Sequence, residues 1–254
     1  MIPKIERTPK EKLRRVLAQG IRRVAGYIEP LPTLRHIAIR ECPCCGYVGP
    51  FRPGGGGDVV GYDVTCENCL SMERHRFLKI YFDRAKPVAE GARTLHFAAE
   101  PSVTRFLEPL SSGRYVRADI DPTLGDMVVN IEAMQFEDDS FDCIVCGHVL
   151  EHVDDTKALA EIFRVLAPGG TAFLMIPIVE GWEHTYENPE VTTEFDRLKH
   201  FGQRDHVRRF GRDFRDRVRA AGFTLDEVTT EPADCVRYSL LPGERIFLAS
   251  KPAA

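Results

Sequence analysis

Residues 130–178 read NIEAMQFEDDSFDCIVCGHVLEHVDDTKALAEIFRVLAPGGTAFLMIPI. Two apolar runs, one from Phe141 to Cys146 and one from Thr171 to Ile176, enclose a stretch with helical spacing near residues 155–166. Short apolar run, helix, short apolar run is the pattern of a βαβ unit in a parallel sheet. Pro168, Gly169 and Gly170 are expected to stop the helix and turn the chain tightly into the next strand. Cys143 and Cys146 have C-x-x-C spacing, but they lie inside an apolar strand and are expected to be core residues, not ligands.

Working outward, the same alternation runs from Arg93 to the C-terminus. Strands are predicted near 94–98, 115–119, 127–130, 141–146, 171–176, 223–229 and 245–250, with helices near 102–110, 155–166 and 207–221. Residues 91–254 therefore form an α/β domain with seven strands. The link from Asp121 to Asp126 is too short for a crossover helix. Residues 178–206 make a connection far longer than usual, which is expected to act as a lid.

Upstream the composition changes. Residues 1–40 carry ten Lys or Arg against three acidic groups, whereas the whole chain of 254 residues has a net charge of -4, so the remainder is acidic. Leu13, Val16, Leu17, Ile21, Val24 and Ile28 recur at spacings of three and four, opposite Arg14, Arg15, Arg22 and Arg23. This predicts a basic helical arm. Residues 41–90 hold Cys42 and Cys45, then Cys66 and Cys69, two C-x-x-C pairs about twenty residues apart, followed by a linking helix in MERHRFLKIYFDRA. Four thiolates at that spacing fit one structural Zn²⁺ in a small zinc ribbon, with Cys44 or His75 as substitute ligands. No apolar run is long enough to span a bilayer and no secretory signal is evident, so no membrane insertion and a cytoplasmic location are expected. Oligomeric state is not readable.

The block from Asn130 to Pro177, with RVLAPGG at its centre, closely resembles the class I, Rossmann-like methyltransferases that use S-adenosylmethionine. The resemblance covers roughly Arg93 to Lys251. It implies that Asp119, or Asp121 in YVRADID, holds the ribose hydroxyls of the cofactor, and that Asn130 and Ile131 meet its adenine. The first motif departs from the family's D-x-G-x-G-x-G: here it is His96-Phe97-Ala98-Ala99-Glu100-Pro101-Ser102, without glycine. His96 and Ala98 then stand at the cofactor, and Glu100 is placed to meet its amino group. His148, Glu151 and His152 form H-x-x-E-H at the end of the fourth strand, resembling the E-x-x-E-H of metal-dependent RNA and ubiquinone-pathway O-methyltransferases. The resemblance implies either a divalent cation there or a histidine base. In the lid, His200 and His206, with Asp205, are candidates for acceptor binding or base work.

Three functions are consistent with these residues. The leading one is methyl transfer to oxygen of a small-molecule or sugar acceptor. The second is RNA methylation, with the arm and zinc ribbon gripping phosphates. The third is a non-catalytic binding module on a degenerate fold.

Overall fold

Two short hairpins precede the sheet. β1 (Arg40–Glu41) pairs antiparallel with β2 (Val48–Gly49), and β3 (Arg52–Gly54) with β4 (Gly61–Thr65). They lead into helix α1 (Glu73–Ala85). The structure, a computed structural model, describes residues 38–54 and 61–253. The expected arm helix, and most of the arm over residues 1–40, lie outside the described residues.

The main sheet follows from β5 (Thr94–Phe97), β6 (Tyr115–Asp119), β7 (Met127–Val128), β8 (Phe141–Gly147), β9 (Leu166–Met175), β12 (Thr224–Thr229) and β13 (Arg245–Ser250), in the order β12-β13-β9-β8-β5-β6-β7. A further two-stranded ribbon pairs β10 (Tyr186–Glu187) with β11 (Arg208–Arg209). Only β13 runs against its sheet neighbours, inserted between β9 and β12. The expected seven-stranded Rossmann-like architecture is thus present.

Both sheet faces are covered, which is why the central strands carry nearly unbroken apolar runs. α2 (Pro101–Leu110) and α1 bury Val103, Leu107, Phe77 and Leu78 on one face, against Cys143, Val145 and Phe173. α3 (Asp155–Val165) and α5 (Phe214–Ala220) bury Leu159, Ile162, Phe214 and Val218 on the other, against Leu95, Ile144 and Cys146. Cys143 and Cys146 therefore point to opposite faces and both are fully buried, as expected. Each large core side chain contributes roughly 1.5–3 kcal/mol by leaving water.

Three expectations need correction. Pro168–Gly170 do not form a turn ahead of the strand, because α3 already ends at Val165 and β9 begins at Leu166. Register runs from Phe141↔Leu166 to Cys143↔Thr171, so the P-G-G segment is a bulge inside β9. Gly169 there takes φ +78°, and a Cβ on Gly170 would come within 3.0 Å of the Asp142 carbonyl oxygen. The helix predicted over 207–221 spans only Phe214–Ala220. Arg208 and Phe210 are buried, and the preceding segment is extended to put them inside. The 178–206 connection also contains β10 and helix α4 (Glu194–Phe201), and α6 (Pro232–Tyr238) is a further helix. Among the described residues no helix is long and apolar enough to cross a membrane.

Candidate functional site

The two cysteine pairs sit on matching turns. Gly46 N–H donates to the Cys42 carbonyl at 2.8 Å, and Leu70 N–H donates to the Cys66 carbonyl at 3.0 Å. The residue closing each turn is left-handed, Gly46 at φ +74° and Leu70 at φ +60°. Cys42 Sγ lies 3.6 Å from Cys69 Sγ, and Cys45 Sγ lies 3.7 Å from Cys66 Sγ. A tetrahedral zinc with bonds of about 2.3 Å places its sulfurs about 3.8 Å apart, so the four thiols fit that ion. All four can converge on one point. Cys44 is not part of this quartet; its Sγ faces the His75 carbonyl at 3.8 Å. His75 is no ligand either, since both its nitrogens are engaged elsewhere.

That engagement lies in the turn after β5. Ala98 adopts φ +48°, the left-handed backbone that glycine takes easily, and donates its N–H to the Ala118 carbonyl at 3.0 Å. The turn therefore keeps its shape without glycine. Glu100 then begins α2, and its Oε1 accepts from His75 Nε2 at 3.0 Å and Arg74 Nη2 at 3.2 Å. His75 Nδ1 accepts the Met72 N–H at 3.1 Å and faces the Ser102 hydroxyl at 2.9 Å, which fixes the tautomer with its hydrogen on Nε2. His96 is buried behind this group, with Nδ1 at 2.6 Å from Tyr115 Oη and Nε2 at 3.7 Å from Glu100 Oε2. Burial works to raise the Glu100 carboxyl, but the bonds from His75 and His96 and the Arg74 charge hold it well below the usual carboxylate range. His75, expected as a substitute zinc ligand, instead donates to Glu100, and Arg74 beside it was not singled out from the sequence.

At the end of β6, Asp119 Oδ1 accepts the Asp121 N–H at 2.8 Å, while Asp121 Oδ1 accepts the Thr123 N–H at 2.8 Å. Asp121 is exposed and braces its own turn, so Asp119 is the better placed of the two. Asn130 is exposed and its Oδ1 takes the Glu132 N–H at 2.9 Å, whereas Ile131 is packed into the core.

β8 ends at Gly147, and His148 follows in a left-handed conformation at φ +55°. A short 3₁₀ turn, Leu150–His152, then brings Glu151 inside. Glu151 is fully buried, and neither carboxylate oxygen accepts a hydrogen bond. His148 Nδ1 stands 3.2 Å from Glu151 Oε1. His206 arrives from the lid, with its ring centroid 4.6 Å from that of His152 and edge-on to it. Glu151, His152 and His206 can direct one ligand atom each to a common point. Burial keeps His206 below its usual range, so its imidazole is neutral and able to ligate. His200 is not in this group; Tyr186 Oη meets its Nδ1 at 2.7 Å in the lid.

A last carboxyl, Glu244 directly before β13, has a buried Oε2 without a partner. Burial pushes it up to about 7, opposed by the His148 charge. Sequence reading had no signal for it. Most of these groups gather at the C-terminal ends of β5, β6 and β8. There the chain leaves β5 for β6 on one side and returns to β8 on the other, the crevice where open α/β sheets bind ligands. A surface cleft of ≈ 350 Å³, lined by Pro87–Ala92, Asp142 and Pro168–Thr171, lies at the opposite strand ends and holds none of them.

Residues 103–174 match the family described as Methyltransferase domain. The ubiquinone/menaquinone biosynthesis C-methyltransferase UbiE of Hahella chejuensis is 31% identical over 137 residues, covering 45% of this chain and 54% of that protein. UbiE of Escherichia coli O1:K1 / APEC is 40% identical over 150 residues, 50% of this chain and 59% of that one. The chain thus spans little more than half the length of these curated relatives. Among solved structures, the complex of the Haloferax volcanii Trm112 methyltransferase activator with a methyltransferase gives a TM-score of 0.50 at 18% identity, covering 71% of this chain and 94% of that chain. The [4+2]-cyclase SpnF gives 0.52 at 14% identity, covering 81% and 90%. These likenesses establish the fold.

Proposed function

We propose that this chain, whose body is a Rossmann-like methyltransferase domain, transfers a methyl group from S-adenosylmethionine to an oxygen of a small molecule or sugar. Since a fold neighbour is named a cyclase, the sheet by itself does not fix the reaction and the site must carry the reading. The observation that carries it is the buried, unbonded Glu151 carboxylate between His148, His152 and His206 at the ligand edge of β8. Such a set suits the activation of a hydroxyl.

The residues present suit the cofactor: Ala98 keeps the turn open, Asp119 has a carboxylate oxygen for ribose hydroxyls, and Glu100 offers negative charge to an ammonium. When bound, S-adenosylmethionine supplies an electrophilic methyl, whose C–S bond breaks as the new C–O bond forms, its electron pair returning to sulfur. His148 takes the hydroxyl proton. Its Nδ1 stands 3.2 Å from Glu151 Oε1, close enough for the carboxylate's charge to steady the imidazolium that forms. Glu151, His152 and His206 would hold a divalent cation, whose charge would lower the pKa of an acceptor hydroxyl.

A second reading, with carbon as the acceptor, is favoured by the relatives named as C-methyltransferases. Incubation with methyl-¹³C-labelled S-adenosylmethionine and a panel of hydroxylated metabolites separates the two, because O-methyl and C-methyl products have distinct carbon shifts. RNA binding that falls steeply with salt would redirect the acceptor to RNA. Calorimetry showing binding of neither S-adenosylmethionine nor S-adenosylhomocysteine would overturn the enzymatic reading and leave a binding module.

A further inference from the structure

We infer that the cysteine knuckles belong to the cofactor pocket: zinc held by Cys42, Cys45, Cys66 and Cys69 fixes the first turn of α1, and that turn holds Glu100 for its ligand. The inference rests on the proposed cofactor reading for the identity of that ligand.

Between the last cysteine and the helix there are only three residues, Leu70, Ser71 and Met72. Each is tied down. Ser71 is fully buried, with Oγ 3.2 Å from Cys42 Sγ and 3.3 Å from Cys69 Sγ. Its carbonyl accepts the Cys66 N–H at 3.0 Å and Arg76 Nη1 at 2.5 Å. Met72 gives its N–H to His75 Nδ1, and its carbonyl takes the His75 and Arg76 N–H groups, both at 3.1 Å. The next residues along the helix, Arg74 and His75, are the two donors to Glu100 Oε1. A continuous path of short contacts therefore runs from sulfur to carboxylate.

Arg76 locks the same turn from behind. It is fully buried and donates to the Val64, Ser71, Tyr238 and Ser239 carbonyls at 2.9, 2.5, 2.7 and 2.6 Å, while its guanidinium lies 4.6 Å from the Phe51 ring centroid. This ties the knuckles, α1 and α6 into one unit. The knuckle core itself is small, with Cys42, Phe51 and Cys66 its only buried apolar members among the described residues. A cluster of that size does not hold its shape without the metal. When it loosens, Ser71 and Met72 lose their anchor, and Glu100 loses two of its donors.

Coupling between two sites is reciprocal at equilibrium, so bound cofactor must tighten zinc binding by the factor that zinc improves cofactor affinity. The full chain, zinc-loaded and after chelation, is compared by calorimetry with S-adenosylhomocysteine and by ¹⁵N imidazole spectra without any ligand, the His75 signal assigned with His75→Asn. The expected result is at least a tenfold weaker affinity after chelation and loss of the His75 Nε2–H tautomer signature, with a matching tighter zinc affinity, read by equilibrium competition with a chelator, when S-adenosylhomocysteine is present. An unchanged His75 signal with unchanged affinity overturns the inference and leaves the cofactor reading intact. No binding by the zinc-loaded chain overturns the cofactor reading, while the His75 spectrum still decides whether zinc controls the turn. If chelation unfolds the whole chain, Ser71→Ala keeps all four cysteines and removes the contact to the knuckles. It should weaken binding several-fold, and an unchanged affinity overturns the inference.

Discussion

Arg208 Nη1 lies 2.7 Å from Asp155 Oδ1, and both side chains are almost fully buried. The same guanidinium donates to the Leu150 and Val153 carbonyls at 3.1 and 2.6 Å, which straps the end of the lid onto the 3₁₀ turn bearing Glu151 and His152. Val207 N–H also reaches the Glu151 carbonyl at 2.9 Å. His206 owes its place in the cluster to this strap.

Arg208→Ala should therefore act on both stability and site. Leaving Asp155 buried with Arg217 as its remaining partner should cost about 1.5–3 kcal/mol in urea unfolding, the worth of a hydrogen bond to a charged group. Binding of Mn²⁺ or Co²⁺ at the Glu151 cluster should be lost in the same variant. Retained cation binding would show that His206 needs no such support.

Asp119 and Asp121 separate cleanly. Asp119→Ala removes the carboxylate proposed to hold the ribose hydroxyls and should weaken S-adenosylhomocysteine by roughly ten- to hundredfold, the worth of charge-assisted hydrogen bonds of about 1.5–3 kcal/mol. Asp121→Ala should change affinity less than threefold, because that side chain braces an exposed turn. Calorimetry on the two variants checks this, and a reversed order would exchange their roles.

Leu70→Gly should stabilise the zinc-loaded chain. Leu70 occupies the left-handed position that Gly46 fills in the matching knuckle. A left-handed non-glycine residue costs about 1–2 kcal/mol, and the added freedom of the unfolded chain returns about 0.4–1 kcal/mol. The net gain is up to about 1.6 kcal/mol, visible as a raised thermal midpoint; a lowered one would show that the exposed leucine makes a stabilising contact.

Glu244 gives the pH dependence a sign. Burial raises its carboxyl to about 7 in the folded chain, whereas an unfolded glutamate titrates near about 4.3. The folded state keeps the proton longer, so this contribution is full at low pH and is lost as pH rises through 7. Glu244→Gln should remove that decline, leaving its thermal midpoint a few degrees above the parent at pH 8 and close to it at pH 5. Parallel curves for the two proteins from pH 5 to 8 would contradict the assignment.

The βαβ block was legible because burial on both faces forces apolar runs and a helix stop that need no knowledge of distant residues. Phe141–Gly147 and Asp155–Val165 fall within a residue or so of where periodicity puts them. The paired cysteines were legible for a similar reason, since a metal demands a local spacing. Residues 207–213 were misread because the helical spacing there is overridden by a tertiary need, the burial of Arg208 and Phe210. Arg74 and Glu244 were invisible, and His75 was assigned to the metal, because their neighbours, Glu100 and His148, are far away in the sequence. His200 was grouped with His206 by proximity along the chain, but α4 turns it toward Tyr186.

β13 fills the gap between β9 and β12, so the order of synthesis differs from the order of assembly. When Thr224–Thr229 leaves the ribosome, the strand it must pair with has not been made. The sheet can close only as Arg245–Ser250 is captured between two partners, a contact of long sequence separation that is entropically slow to form. Hydrogen-exchange protection on a chain stalled before Arg245 should extend through β9 and stop there, making the last hairpin the step that commits the molecule to its native state.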